Sequence, residues 1–327
     1  MGAGAIGTLF AVKIAKAGFP LEVFVRREEQ ARRIADAGLT LREAEGEAYA
    51  AKPLVRLLPS RTEHAARDYK PSMESGDAED PHFIFLSVKQ NAITDELASD
   101  ILGLMGPGSW VVCLQNGIGH AEKLVKHLPA DRLLLAVTTE GALRVSDCES
   151  IHTGHGETYI GAFREGDKEE VENSRIVQKK LAKQLEMAGF RISLSNDIIS
   201  RIWQKLLINA AINPLSALLQ VRNGELLELS EARQLMQQLV EEGKLLASAC
   251  GIEIGTDLWT RVQEVCENTA VNRSSMLQDM QAGRVTEIEA ITGNMLNKAR
   301  TAGLELHAHQ SVYLLIKALE KRRSAGD

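Results

Sequence analysis

The sequence predicts an α/β protein of two domains, with a sheet-containing domain over residues 1–195 and an all-helical domain over 196–327. In the first half of the chain, short β-branched or aromatic runs alternate with helical stretches, which is typical of a parallel sheet covered on both faces. After residue 198 the strand-like runs stop, and apolar residues recur with the period of a helix. The length of 327 residues and the apolar content of 44% are sufficient for two hydrophobic cores.

Composition and charge exclude several classes of function. The formal net charge is −6 and the basic residues are scattered, which argues against nucleic acid as a partner. A membrane-spanning helix needs about 18 consecutive apolar residues, and no run in the sequence is that long. The four cysteines form no C-x-x-C pair, so we expect reduced thiols in a cytoplasmic protein and no cysteine-based metal site.

Individual elements follow from the local pattern. The polar, Pro- and Gly-bearing segment from Pro59 to Pro81 predicts a long solvated loop. The runs predicted to be strands are 21–25, 53–58, 83–88, 110–114 and 133–138, with a last strand within 190–198. The predicted helices of the second domain are 199–221, 224–250, 256–271, 275–298 and 305–323.

The chain begins with MGAGAIG, in which Gly2, Gly4 and Gly7 form a G-x-G-x-x-G motif. Glycines at this spacing allow a tight turn and let a pyrophosphate approach the backbone at a helix N-terminus. Because a strand follows at 21–25, the motif predicts a Rossmann-like dinucleotide-binding domain. The motif normally follows a strand, but only Met1 precedes it here. We therefore expect the first strand of the sheet to be missing, through truncation, or its position to be filled by another segment.

The first predicted strand is followed by Arg26 and Arg27, at a position where NAD-binding domains usually carry an acidic residue. Two guanidinium groups at this position favour the 2′-phosphate, so NADPH is expected as the cofactor in preference to NADH. The alternative is a glycine-rich turn followed by ordinary surface arginines.

Lys89 and Asn116 follow two later strands, and loops at the carboxyl ends of parallel strands line the ligand crevice of open α/β sheets. Gly117 and Gly119 would let the backbone approach a ligand there. Lys89 could equally be an ordinary loop lysine, and Asn116 a turn residue, since Asn-Gly is itself a turn signal.

In the stretch KLLINAAINPLSALL, Lys205, Asn209 and Asn213 recur every four positions and therefore share one face of a helix. Burying a lysine and two amides among apolar residues is costly unless something uses them. We expect them to face a ligand in a cleft. The alternatives are a lysine that reaches solvent from the helix start and an asparagine that caps a kinked turn before Pro214.

Several motifs together resemble the ketopantoate reductase (2-dehydropantoate 2-reductase) family. They are the glycine motif with Arg26, VKQN, LQNGIG, WQKLLINAAINPLSAL and SSMLQDMQAGRVTEIEAITGNML. The resemblance spans the chain in order, apart from the first strand and the 59–81 segment. It implies an oxidoreductase that uses NADPH to reduce 2-dehydropantoate to pantoate, a step towards coenzyme A.

The resemblance also implies roles for individual residues. Lys205 would be the catalytic lysine, acting as general acid, and Glu287 the active-site glutamate. Substrate-binding roles are implied for Asn209, Asn213, Ser275 and Asn116, and cofactor-binding roles for Gly2, Gly4, Gly7, Arg26, Lys89 and Asn116.

This chemistry suits the residue types. Reducing a keto group develops negative charge on its oxygen, so a cation that can donate a proton, such as Lys205, should lie there. Partial burial would lower the pKa of Lys205, and a nearby carboxylate would raise it. Ser275 could instead N-cap its helix, and Thr286 with Glu289 could form a capping box that places Glu287 in a first helical turn.

Two other functions are open on the sequence alone: reduction of a different 2-keto acid, and NADP binding with weak catalysis because of the missing strand. His152 and His155 have a spacing that suits a metal, but a glycine-rich turn into a strand is preferred, so no metal is expected. The expected partner is a small 2-keto acid, and the helical domain could offer a homodimer surface.

Overall fold

The computed structural model describes residues 1–44, 46–58, 81–164, 167–255 and 257–324. These residues divide into two compact units. The first comprises Met1–Gln115 and His120–Ile198, and the second comprises Asn116–Gly119 and the described residues of Ile199–Asp327. Residues 116–119 therefore belong with the helical unit, a feature that the sequence does not predict. The solvated loop predicted at 59–81 lies outside the described residues, apart from Pro81.

The first unit alternates strands and helices, and the α/β prediction is confirmed. Its strands are β1 Glu22–Val25, β2 Leu39–Glu43, β3 Ala48–Ala51, β4 Leu54–Leu57, β5 His82–Leu86, β6 Ser109–Cys113, β7 Leu133–Thr138, β8 Gly141–Arg144, β9 Glu149–Gly154, β10 Thr158–Ala162 and β11 Ile192–Leu194. Its helices are α1 Ala5–Lys16, α2 Glu28–Ala37, α3 Asp95–Leu104, α4 His120–Leu124 and α5 Lys168–Met187.

The main sheet has the strand order β11-β10-β7-β6-β5, and β1 and β4 form a separate parallel pair. Strands β5, β6 and β7 run parallel to one another. Every residue of β6 and β7 is buried. A strand covered on both faces is a continuous apolar run, which is why these two strands are predictable from the sequence.

Met1 and Gly2 lie between β1 and the main sheet. The Gly2 N–H donates to the Phe24 carbonyl of β1, and the Ser87 N–H donates to the Met1 carbonyl, both at 2.9 Å. Met1 N also donates to the Phe85 carbonyl of β5 at 2.5 Å. These two residues therefore occupy the position of the strand that the sequence leaves missing, and no regular strand is formed there within the described residues.

A second sheet, with the order β3-β2-β9-β8, is not predicted from the sequence. Its strands are short and partly exposed, so they lack a continuous apolar run. Helix α1 packs against this sheet. The Phe10 ring of α1 also contacts Phe85 of β5 and stacks on Phe190 at 4.3 Å. A helix covered on several sides is expected to be apolar around most of its surface, as α1 is.

The second unit contains only helices within the described residues, and the all-helical prediction is confirmed. They are α6 Ile198–Leu219, α7 Glu225–Glu228, α8 Ser230–Ala249, α9 Leu258–Asn268, α10 Ser275–Gln281, a π-helix Glu289–Gly293, α11 Asn294–Thr301 and α12 His307–Ser324. None of the helices in the described ranges is long and apolar enough to cross a bilayer.

The single helix predicted over 275–298 is wrong, because α10 ends at Gln281. Gly283 adopts a φ of +65°. The N–H groups of Gly283 and Arg284 donate to the carbonyls of Met280 and Asp279 at 3.2 and 2.8 Å. This is the Schellman pattern, in which a left-handed glycine ends a helix.

We expect Gly7→Ala to destabilise the first unit. An added Cβ would lie 2.2 Å from the Gly2 carbonyl oxygen and 2.6 Å from Ser87 Oγ, so the first two residues would be displaced. The expected loss is about 1–3 kcal/mol in the free energy of unfolding, measured by urea denaturation. Gly106→Ala is the control, because its nearest neighbour would be Ser109 Oγ at 3.9 Å. Equal stability of the two variants would contradict the prediction.

Candidate active site

Helix α6 carries three polar side chains on one face. Lys205 and Asn209 are half-buried and Asn213 is buried. Among the described residues, neither amide side chain has a hydrogen-bond partner, so both retain donors and acceptors for a ligand. The helix continues through Pro214, so Asn213 lies in its interior and does not cap a turn.

Burial and a neighbouring carboxylate together set the pKa of Lys205. Desolvation lowers this pKa to about 8, and the negative charge of Glu287 opposes the shift. A lysine of this kind is still mostly protonated at neutral pH, yet it releases its proton more readily than a solvated lysine does. The environment therefore suits a side chain that has to donate a proton during a reaction.

Residues distant in sequence hold Glu287 in position. Asn116 Nδ2 donates to Glu287 Oε2 at 3.1 Å. The preceding residue, Thr286, donates from its N–H and its hydroxyl to Glu320 Oε1 of α12, at 2.9 and 2.7 Å. Glu320 in turn pairs with Lys317 at 3.2 Å. The Glu287 carboxylate is therefore held directly by Asn116, and the backbone that precedes Glu287 is held by Glu320.

The capping box predicted from Thr286 and Glu289 is wrong. The Thr286 N–H donates to Glu320 of another helix, and its hydroxyl accepts from the Ile288 N–H at 3.2 Å. The Glu289 carboxylate instead accepts from the Tyr313 hydroxyl at 2.7 Å. The segment that leads into the π-helix is thus stabilised by α12, which the local sequence does not show.

Segment 116–119 is fixed against the π-helix and the start of α11. Asn294 Nδ2 donates to the Ile118 carbonyl at 2.6 Å and to the Ala290 carbonyl at 3.2 Å. Gly117 has a φ of +85°, and an added Cβ would lie 2.4 Å from the Ala290 carbonyl oxygen. This glycine therefore lets the segment approach the protein's own backbone.

Ser275 is the first residue of α10, and its side chain is exposed. The N-cap is Ser274, whose Oγ accepts from the Leu277 N–H at 3.1 Å. The alternative in which Ser275 caps the helix is therefore wrong. Ser216 of α6 donates to Ser274 Oγ at 2.6 Å, which fixes the start of α10 to α6 one turn beyond Asn213. Sequence reasoning does not identify Ser216 or Ser274.

Gly2, Gly4 and Gly7 form the turn at the N-terminus of α1. Gly2 has a φ of +92°, which favours glycine, and a Cβ at Gly4 would meet nothing within 4 Å. Helix α1 has no side-chain cap and no acidic residue in its first turn. Its first N–H groups and the positive end of its dipole therefore fit an anion such as the pyrophosphate of a dinucleotide.

The two arginines after β1 differ in their surroundings. Arg27 pairs with Asp147, a carboxylate that also pairs with Arg33 and Arg144. Arg26 is exposed and makes no ion pair or hydrogen bond within the described part of the chain. Of the two guanidinium groups expected to favour a 2′-phosphate, only that of Arg26 is therefore available, since Arg27 already has an acidic partner.

The ends of β5 and β6 are joined by Gln115, a buried residue that sequence reasoning does not single out. Its Nε2 donates to the carbonyls of Leu86 and Val88 at 2.7 and 3.0 Å. Its Oε1 is buried without a partner among the described residues. Lys89 follows β5 and is half-buried. The polar Gln at the end of an apolar strand is the signal that identifies this position.

Two family models match the sequence. Residues 1–165 match the model described as "Ketopantoate reductase PanE/ApbA", and residues 197–320 match "Ketopantoate reductase PanE/ApbA C terminal". The chain belongs to the ketopantoate reductase family. Membership confirms the predicted resemblance and the predicted enzyme class, an NADP-dependent oxidoreductase.

Named relatives and solved structures resemble this chain over nearly its whole length. The 2-dehydropantoate 2-reductases of Archaeoglobus fulgidus and Bacillus subtilis are each 32% identical, over 98% of this chain and 96% of theirs. A solved structure of the probable B. subtilis enzyme has a TM-score of 0.76 at 31% identity and covers 98% of both chains. D-mandelate dehydrogenase with NADH and anilino(oxo)acetate has a TM-score of 0.84 at 24% identity, covering 99% of this chain and 98% of that one, which shows a shared fold.

We expect Asn294→Ala to loosen segment 116–119. The Ile118 carbonyl would lose a donor at 2.6 Å, at a loss of about 1 kcal/mol in the free energy of unfolding. Hydrogen exchange at the amides of the segment should become faster. Asn297→Ala is the control, because Asn297 is exposed on the same helix and its side chain contacts only Arg300 among the described residues. Unchanged exchange in Asn294→Ala would show that the contact does not order the segment.

Proposed function

We propose that this protein reduces 2-dehydropantoate to pantoate with NADPH, on the route to coenzyme A, and that Lys205 donates the proton. The observation that carries the proposal is a half-buried lysine with a pKa of about 8 beside Glu287. The names of the relatives that match over 96% of their length support the choice of substrate.

NADPH, when bound, would supply a hydride for the keto carbon of the substrate and would become NADP⁺. As the new C–H bond forms, the electron pair of the carbonyl moves to the oxygen, where negative charge develops. The Lys205 ammonium stabilises this charge and donates a proton to the oxygen, which yields a hydroxyl group and a neutral amine. A proton from solvent then restores the ammonium.

The other polar residues of the helical unit support this step. Glu287 raises the pKa of Lys205 against the effect of burial, and so keeps the lysine protonated before the reaction. Asn116 orients the Glu287 carboxylate. Asn209, Asn213 and Ser275 offer neutral donors and acceptors that suit the carboxylate and hydroxyl groups of the substrate. In this proposal Glu287 does not itself transfer the proton.

On the cofactor side, the N-terminus of α1 at the glycine motif would hold the pyrophosphate of NADPH. Arg26 would bind the 2′-phosphate, since it is exposed and has no acidic partner among the described residues. Lys89 and Asn116 follow two strands of the main sheet and are proposed to complete the cofactor site.

NADPH oxidation with 2-dehydropantoate tests the proposed function, with pyruvate and 2-oxoisovalerate as competing substrates. We expect turnover to be highest with 2-dehydropantoate. Lys205→Ala should lower kcat by about 10²–10⁴-fold with NADPH binding retained. Lys244→Ala is the control, because this lysine pairs with Glu241 on α8. A preference for another keto acid would overturn the substrate, and turnover of Lys205→Ala within a few fold of the parent would overturn the proton donor.

We expect kcat/KM for reduction to fall as the pH rises above about 8, because the reaction needs the protonated form of Lys205. Glu287→Gln removes a charge that raises the pKa of Lys205, so the decline should begin at lower pH. Glu289→Gln is the control, since Glu289 contacts Tyr313 and Lys317. A pH–rate profile that declines at the same pH in Glu287→Gln and in the parent would argue against the assigned role of Glu287.

We expect Arg26→Ala to weaken NADPH binding by about 10- to 100-fold, because a charge-assisted contact to the 2′-phosphate is lost. NADH lacks this phosphate, so its dissociation constant should change little. Fluorescence titration measures both constants. Arg32→Ala is the control, because Arg32 is exposed and pairs with Glu28 on α2. An equal loss for both cofactors would remove the 2′-phosphate assignment.

We further propose a cytoplasmic location and a homodimer. The described cysteines are all free thiols, which supports a reducing, cytoplasmic environment. Leu314 and Leu315 are more than half exposed on α12, at 56% and 54%. Apolar side chains of this kind support the proposal that the helical unit forms a homodimer surface.

A further inference from the structure

A cluster of histidine and glutamate side chains lies in the first unit and is not used by the proposed function. Glu43 is the last residue of β2, and the parallel pairing of β2 with β9 places it opposite His152. His155 follows directly after the end of β9. One nitrogen or oxygen atom from each of these three residues lies within 4.8 Å of the others.

The distances within this cluster are close to those of a metal site. Glu43 Oε2 lies 2.8 Å from His152 Nδ1 and 3.9 Å from His155 Nε2. Ligands at about 2.0–2.2 Å from a tetrahedral ion are separated by about 3.4 Å, so shifts of about 1 Å would complete the geometry. His155 can supply this adjustment, because 72% of its side chain is exposed.

His152 is already oriented as a metal ligand would be. Its side chain is fully buried, and its Nε2 lies 2.6 Å from Glu140 Oε2. The Glu140 side chain is itself only 2% exposed. In metal sites a ligating histidine usually donates its second ring N–H to a carboxylate, which fixes the ring and its tautomer. With Nε2 bonded to Glu140, the other ring nitrogen of His152 faces Glu43.

The backbone around His155 is held firmly. Arg191 donates from Nε to the Gly156 carbonyl at 3.1 Å and from Nη2 to the His155 carbonyl at 3.3 Å. Gly156 packs so closely that an added Cβ would lie 2.2 Å from the Thr139 carbonyl carbon. The turn is therefore preorganised, and the exposed His155 imidazole, which packs edge-on against the His152 ring at 4.3 Å, needs only a small rotation to meet an ion.

We propose that Glu43, His152 and His155 bind a divalent transition-metal ion, with Zn²⁺ as the expected occupant and water in the fourth position. Two imidazoles and one carboxylate form a ligand set that suits zinc. As the ion enters, the proton between His152 Nδ1 and Glu43 is released to solvent. This revises the sequence-based expectation that no metal binds.

The proposed ion has a structural role that does not depend on the proposed enzymatic function. It would connect β2 to β9 through side chains, and through Glu140 it would connect both strands to the turn between β7 and β8. The competing arrangement is a protonated His152 that bridges Glu43 and Glu140 without any metal. In that arrangement His155 lies 3.9 Å from Glu43 and packs edge-on against the His152 ring, but it binds no ion, so the effect of a His155 variant on Zn²⁺ binding distinguishes the two.

The test uses the full chain, freed of metal with a chelator and titrated with Zn²⁺ by calorimetry. We expect one ion per chain. His155→Ala should weaken Zn²⁺ binding by about 100-fold. His307→Ala is the matched control, because His307 is 82% exposed and lies 3.3 Å from Glu305, without a third ligand in the described residues.

Two further measurements extend the test. Co²⁺ should give the visible absorption of a tetrahedral site with the parent and with His307→Ala, but not with His155→Ala. Zn²⁺ should raise the midpoint of thermal unfolding of the same two proteins, since it binds the assembled site more tightly than it binds the unfolded chain. Glu43→Gln should behave like His155→Ala. Absence of stoichiometric binding, equal affinity in the parent and His155→Ala, or an equal loss in both histidine variants would overturn the proposal.

Discussion

Glu287 places a negative charge beside Lys205, and contacts from Asn116 and from Glu320 of α12 keep that charge in position. Removing a lysine from water favours the neutral amine, so a desolvated lysine without a carboxylate would lose its proton at a lower pH. The anchors on Glu287 come from two directions: Asn116 contacts the carboxylate, and Glu320 holds the backbone of the preceding residue. The protonation of one lysine therefore depends on contacts with three separate stretches of chain.

The π-helix makes one of these anchors possible. Its Ala290 carbonyl faces Gly117 so closely that only a glycine fits, and it also accepts from the Asn294 side chain. Such π turns interrupt regular helices and are frequent at functional sites. Here the interruption lies between Glu287 and Asn294, two residues that contact segment 116–119. The π-helix and segment 116–119 therefore pack closely against each other and share hydrogen bonds through Asn294.

Helical spacing alone was enough to predict that Lys205, Asn209 and Asn213 share a face, because the period of a helix does not depend on its surroundings. Spacing could not bring Asn116 to Glu287, because 171 residues separate them. The position of Asn116 after a strand predicts that it lines a ligand crevice, whereas a role for Glu287 is implied only by the family resemblance. The break after α10 is also not predictable from spacing, because regularly spaced apolar residues continue past Gly283 and outweigh the signal of that glycine.

The four-stranded sheet shows a different limit of prediction. Its strands are short and partly exposed, so their sequences resemble loops, although α1 packs against them. As a result the sequence shows His152 and His155 as a spaced pair, but it does not connect them with Glu43, more than a hundred positions earlier. Pairing between strands brings these residues together, and no local pattern records that pairing.

Segment 116–119 has a consequence for how the protein is made. The chain leaves the first unit after Gln115, contributes four residues to the second, returns at His120 and leaves again after Ile198. Ile118 is part of the core of the helical unit. On the ribosome, Asn116 is therefore synthesised well before the carboxylate that it orients, and their contact closes a very long loop. A fragment that began at Ile199 would lack both Ile118 and the donor to Glu287, so no single cut in the chain separates the two units.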